Sequence, residues 1–227
     1  ATLAALREAK KMGAKVLGIV NVVGSSIARE ADNVMYTWAG PEIAVATTKA
    51  YSAQLTAMYL LAMKFAQVRG QLDDSQIEKM LGELKALPAQ IEMILNNREK
   101  IQKFANRYLA ARDIFFMGRG LDHAISMEGS LKLKEISYIQ AEGFAGGELK
   151  HGTIAIIEEG TPVFALATQK SVSLNIRGNV KEVVARGAHP CIISMEGTEE
   201  EGDRFVLPPV HELLTPIVSV VPLQLIA

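Results

Sequence analysis

Apolar residues along this chain follow two rhythms: short β-rich runs, and longer stretches with a helical period. Lys15 to Asn21 is a compact apolar run leading to the turn signal Gly24-Ser25-Ser26, as expected of a buried parallel strand. Val34 to Thr37 is a second such run. Helix then dominates. Ile43 to Arg69 is apolar on most sides, Asp73 to Leu87 is amphipathic, and Pro88 to Leu109 forms a further helical stretch with Pro88 in its first turn.

The strand–helix rhythm restarts at Asp113 to Met117, a strand that runs into Gly118-Arg119-Gly120 and then a helix. Strands follow at Thr161 to Thr168, His189 to Met195 and Arg204 to Leu207, with helices at Leu174 to Arg186 and Pro216 to Ala227. Such alternation predicts parallel sheets covered by helices on both faces. The opening portion repeats this plan without its leading strand, so two related α/β halves are expected, 1–110 and 111–227. The first helix, Ala1 to Lys11, reads as already under way. The last apolar pattern, from Pro222 to Ala227, reads as interrupted, so the chain is expected to be cut at both ends.

The chain has 227 residues, 49% of them hydrophobic, enough to bury one large core or two of about 100 residues each. A net charge of −1 with both signs interspersed supplies no basic field for nucleic acid and no polybasic face for a membrane. One cysteine, Cys191, excludes an intrachain disulfide and, in its apolar run, reads as a buried strand thiol. With no apolar run long enough to span a bilayer and no signal-peptide pattern, a cytoplasmic location is expected.

The densest chemistry lies between Met127 and Gly152. Glu128, Lys132 and Glu135 fall at i, i+4 and i+7, which stacks them on one side of a helix. Leu131, Ile136 and Ile139 fall on other sides and are expected to hold the helix against a sheet. The glycine-rich run from Gly143 to Gly147 is expected to leave the helix as irregular backbone, which places His151 on a loop. The same Glu and Lys spacing also occurs on solvated helices, and a single loop histidine is often structural, so both readings stay open here. Two further segments suit ligands. Gly118-Arg119-Gly120 reads either as an anion-binding strand–helix turn or as a plain tight turn. Gly40 to Lys49 places hydroxyls and amides at a helix start, to hold an anion or a sugar hydroxyl or simply to cap the helix. The acidic stretch Glu196 to Asp203 reads as a solvated loop.

Four segments, Ala39 to Ala50, Glu128 to Tyr138, Ala141 to Gly152 and Val221 to Leu225, closely resemble the isomerase half of the glutamine:fructose-6-phosphate aminotransferase family. The resemblance covers essentially the whole chain. It implies two flavodoxin-like sugar isomerase (SIS) domains, each a parallel sheet flanked by helices in three αβα layers, the first incomplete at its N-terminus. It implies a homodimer that binds fructose 6-phosphate, glucosamine 6-phosphate or glucose 6-phosphate. The implied reaction converts fructose 6-phosphate and ammonia to glucosamine 6-phosphate, the first step of hexosamine synthesis toward cell-wall precursors.

By position in the matching motifs, Glu135 is implied to be the base that moves a proton between C1 and C2. His151 is implied to open the sugar ring from the neighbouring subunit, and Lys132 to be the cation beside the base. Val45, Ala46, Thr47 and Glu128 are implied to contact the sugar, with Thr47 where many relatives carry serine. A glutaminase domain, a serine- and threonine-rich phosphate loop and a C-terminal lysine tail belong to the family pattern outside these residues. The chemistry agrees with the residue types. A ketose-to-aldose shift needs one carboxylate to take a proton beside a carbonyl and return it next door, with no metal or redox cofactor. Ring opening suits the side chain that titrates near neutrality. The same fold would also serve a non-catalytic sugar-phosphate sensor, or an enzyme that removes amines from sugar phosphates.

Overall fold

A computed structural model describes all residues, 1–227, and packing divides them into two compact units, Ala1–Ile77 and Glu78–Ala227. The first unit contains α1 (Thr2–Lys11), β1 (Leu17–Val20), α2 (Ser26–Glu30), β2 (Asn33–Tyr36) and α3 (Lys49–Val68). Its two strands pair in parallel, from Leu17 opposite Asn33 to Val20 opposite Tyr36. Gly18 lets α2 close on β1, because a Cβ there would sit 3.2 Å from both Ala31 and Ile27.

Helix α4 (Asp74–Leu95) starts in the first unit and continues into the second, which adds α5 (Arg98–Ala105), β3 (Asp113–Gly118), α6 (Leu121–Ser137) and β4 (Gln140–Ala145). It is completed by β5 (Pro162–Ala167), α7 (Ser173–Val184), β6 (His189–Met195), β7 (Phe205–Leu207) and α8 (Thr215–Ile226). Its five strands are all parallel in the order β4-β3-β5-β6-β7, the flavodoxin-like arrangement in which strand order reverses beside the first strand.

Strand alternation divides the core into two layers. Phe115, Met117, Val163 and Ala165 point to one face, where they pack with Phe144 and with Ile176, Val180 and Val183 of α7. Phe116 and Phe164 point to the other and stack with ring centroids 5.2 Å apart. Phe104 of α5 meets Phe164 edge-on at 5.9 Å and Phe205 at 5.2 Å. Burial on both faces explains why these strands read as continuous apolar runs.

Several expectations are revised. Packing groups the helices before β3 with the second unit, dividing the chain at 77/78, because Ile94, Ile101 and Phe104 bury themselves there; helical periodicity shows an apolar face but not which sheet it covers. Pro88 lies inside α4 and does not open a new helix. The buried side chains Leu87 and Ile94, one heptad apart, hold the helix through the missing amide. Helix α3 begins at Lys49, six residues later than the pattern suggested. The glycine-rich stretch from Gln140 is a strand, paired residue for residue with β3. Leu131 and Ile136 are exposed, and Ile125 and Leu133 hold α6 to the sheet in their place.

Candidate functional site

The second unit's switch point, between β3 and β5, is where a ligand would be expected in such a sheet, yet the protein's own side chains occupy it. The Leu121 amide at the start of α6 donates to Oε1 of Gln169 at 2.8 Å. Asp122, fully buried, accepts from the Thr168 amide at 2.8 Å and from its hydroxyl at 2.5 Å. Burial pushes the Asp122 carboxyl above the usual carboxylate range, although those hydrogen bonds pull the other way. Gly118-Arg119-Gly120 is therefore a tight turn that ties β3 and α6 to the end of β5. Gly118 has no room for a side chain, since a Cβ would lie 2.3 Å from the Asp122 backbone.

Chemistry-bearing residues gather further along α6. The Lys132 ammonium lies 2.6 Å from Glu135 Oε2 and 3.4 Å from Glu128 Oε1, with the lysine side chain only 3% exposed. This is not a solvated surface pair. Glu128 Oε1 is itself buried with no hydrogen bond, while Glu135 keeps a partly open carboxylate. Two glycines set the helix that carries the group. A Cβ on Gly129 would come within 2.6 Å of Leu223, and one on Gly143 within 2.8 Å of the Met127 amide, so each lets α6 approach a neighbour at backbone distance. Tyr138, in the left-handed conformation at φ 60°, then turns the chain out of α6 into β4.

His151 closes a 3-10 turn, Leu149–His151, and is exposed. Leu149 and Ile157, which bracket it, pack in the layer with Phe115 and Met117. Helix α6 packs on the opposite layer, where Gly129 faces Phe116. The five-stranded sheet thus stands between His151 and the Lys132 group of the same chain. The histidine's turn is tethered on its own side: Lys150 pairs with Glu182 at 3.0 Å, and Arg119 Nε donates to Asn179 Oδ1 at 3.0 Å beside Gly146. The Lys150 ammonium, assisted by Asn179, holds the Glu182 carboxyl below the usual range.

Val45, Ala46 and Thr47 belong to the first unit, in irregular backbone ahead of α3, with Val45 91% exposed. Glu42 caps that helix by accepting from the Ala50 amide at 3.0 Å, so the helix start already holds an anion of its own. Asn21, at the end of β1, was not singled out from sequence. It fixes the entry to this segment by donating to the Gly40 carbonyl at 2.6 Å and accepting from the Ala39 amide at 2.9 Å. Its signal was slight: an asparagine directly after a buried strand.

The acidic β6–β7 loop is also more than a solvated excursion. Arg177, largely buried on α7, donates to both carboxylate oxygens of Asp203 at 2.8 and 2.7 Å and to the Thr198 carbonyl at 2.6 Å. No cluster of histidine, cysteine, aspartate or glutamate suited to a metal ion is present. No helix is long and apolar enough to cross a membrane.

Comparison with known proteins agrees with this architecture. The SIS domain pattern matches residues 1–64 and 108–227. The chain is 60% identical over 224 residues to a protein of Halalkalibacterium halodurans named glutamine--fructose-6-phosphate aminotransferase [isomerizing], covering 98% of this chain and 37% of that one. A Staphylococcus aureus protein of the same name is 59% identical over 225 residues, with 99% of this chain and 37% of the relative covered. The chain thus spans little more than a third of the length of these relatives. Among solved structures, the C-terminal domain of glucosamine-fructose-6-phosphate aminotransferase from Francisella tularensis superimposes with a TM-score of 0.93 at 35% identity, over 99% of this chain and 65% of that one.

Proposed function

This chain belongs to the SIS domain family, and from that premise we propose that it is the sugar-converting half of a glutamine:fructose-6-phosphate aminotransferase. The substrate in this reading is fructose 6-phosphate. Its ring opens, ammonia condenses with the C2 carbonyl and expels water, and a proton then moves from C1 to C2 to leave an aldose amine, glucosamine 6-phosphate. Glu135 takes the C1 proton and returns it at C2. His151, supplied by the neighbouring subunit of a cytoplasmic homodimer, exchanges the ring-opening proton. Val45, Ala46, Thr47 and Glu128 contact the sugar.

The observation that carries this reading is the buried Lys132 held between Glu128 and Glu135. A lysine taken out of water between two carboxylates fixes their positions, and Glu135 is the more open of the two. The sheet between Glu135 and His151 supports the assignment of the histidine to the other subunit. A pure sugar-phosphate sensor has no use for a carboxylate poised in this way.

The test is Glu135→Gln in the intact protein that carries this chain. Exchange of the C1 proton of fructose 6-phosphate with D2O, followed by proton NMR, should fall by at least about a hundredfold. Sugar binding by calorimetry should persist. Exchange at the wild-type rate would remove Glu135 from the reaction.

A further inference from the structure

Four cations border one concavity of about 460 Å³ on the α5 side of the second unit: Lys100, Lys103, Arg107 and Arg204. Lys100, Lys103 and Arg107 fall at i, i+3 and i+7, so α5 and the turn after it present them as one stripe. Like charges at this spacing repel, and no carboxylate ion-pairs with any of the four. Glu99 stands among them on the rim, and Glu196 and Asp203 line the adjoining space, Asp203 already paired with Arg177. Two arginines elsewhere are committed to carboxylates: Arg7 pairs with Glu30, and Arg177 with Asp203.

Arg204 is the most telling member. Its guanidinium carbon lies 4.8 Å from the centroid of the Phe104 ring and 5.9 Å from that of Phe205, two rings set edge to face. Its Nε is buried and has no acceptor. A buried N–H without an acceptor is costly, so this one is open to an acceptor that arrives from outside the chain. Arginine's planar fork of donors matches the oxygens of a phosphate.

The concavity does not end at the cations. It shares Asn97, Lys100 and Arg204 with an adjoining pocket of about 370 Å³ whose apolar walls include Ile94, Phe205 and Pro222. We infer that this joint groove binds a small molecule carrying one or more phosphates and a flat ring, with the phosphates on Lys100 and Arg204 and the ring in the apolar pocket. None of the groove residues belongs to the Lys132 group or to the Val45–Thr47 segment, so the site is separate from the one proposed for fructose 6-phosphate.

The experiment is isothermal titration of the purified chain with inorganic pyrophosphate and with ADP as the ring-bearing probe. Both should bind one to one, ADP at least tenfold more tightly, and a saturating concentration of fructose 6-phosphate should displace neither. Lys100→Glu and Arg204→Met should each weaken ADP at least tenfold, while Lys181→Glu on α7 leaves it unchanged. If Arg204→Met does not fold, Lys103→Glu on exposed helix surface takes its place with the same expected loss. Absence of saturable binding, affinity unaffected by the Lys100 and Lys103 changes, or displacement by fructose 6-phosphate would each overturn the inference.

Discussion

Lys132 Nζ lies 2.6 Å from Glu135 Oε2 on a side chain almost wholly withdrawn from water. The contact joins two residues one helical turn apart, and a second carboxylate, Glu128, stands on the far side of the ammonium. Lys132→Met would keep the apolar stem and remove the charge, leaving two carboxylates facing each other. Breaking a buried pair in this way costs about 3 kcal/mol. Urea unfolding should register that loss, and C1 proton exchange should fall with it. A change below about 0.5 kcal/mol, the range of ordinary surface substitutions, would mean that the lysine does not hold the group together.

The separation of Glu135 and His151 by the sheet makes a second prediction about subunits. If each site takes Glu135 from one chain and His151 from the other, Glu135→Gln and His151→Ala proteins will each be inactive alone. Mixed, dissociated and reassociated, half of the dimers become hybrids that hold one intact site each. Activity should recover to roughly a quarter of the wild-type level, given a closed two-fold dimer. No recovery after verified subunit exchange would put both residues in one subunit's site.

Much of this arrangement was legible in the chain. The period of α6 stacked Glu128, Lys132 and Glu135 before any coordinates, and the β-rich runs located β3, β5 and β6 to within a residue or two. Failures cluster where a residue answers to something distant. Gly143 reads locally as irregular backbone, yet it sits in β4, where Met127 of α6 passes at backbone distance. Asp203 reads as one acid among several, yet its partner Arg177 is 26 residues away. Leu131 and Ile136 read as core, and nothing in the pattern shows that they are left exposed on α6.

The glycines of α6 and β4 allow a graded test. Gly143→Ala would drive a Cβ to 2.8 Å from the Met127 amide and 2.9 Å from its Cα, backbone atoms that cannot rotate away. A loss of about 2–3 kcal/mol is expected, the upper range for overpacking. Gly129→Ala meets the end of the buried Leu223 side chain at 2.6 Å, and alanine's better helix propensity partly offsets the clash, so its loss should be smaller. Gly82→Ala in α4 meets nothing within 4 Å and should stabilise by about 0.5–1 kcal/mol. Equal effects for all three in thermal unfolding would mean that close approach to α6 is not what the glycines provide.

Asp203 and Asp122 should give stability opposite dependences on pH. Burial alone would raise the Asp203 carboxyl, but hydrogen bonds from Arg177 and the Glu200 amide help to outweigh it, and the group is held below the usual range. A depressed carboxylate contributes stability that is complete above the unfolded value of about 3.9 and disappears as pH falls through the folded one. Asp203→Asn should therefore be destabilising at pH 7, with the gap to wild type closing in acid. Asp122 is raised by burial, so the native state prefers it protonated, and stability is lost as pH rises from about 3.9 through the folded value. Asp122→Asn removes that loss. Its stability relative to wild type should improve from pH 4 to pH 8, whereas Asp122→Ala, which strands the Thr168 amide and hydroxyl, should be worse at every pH. Denaturant midpoints across that range decide the matter: parallel curves for wild type and Asp122→Asn would show that the buried carboxyl does not titrate with folding.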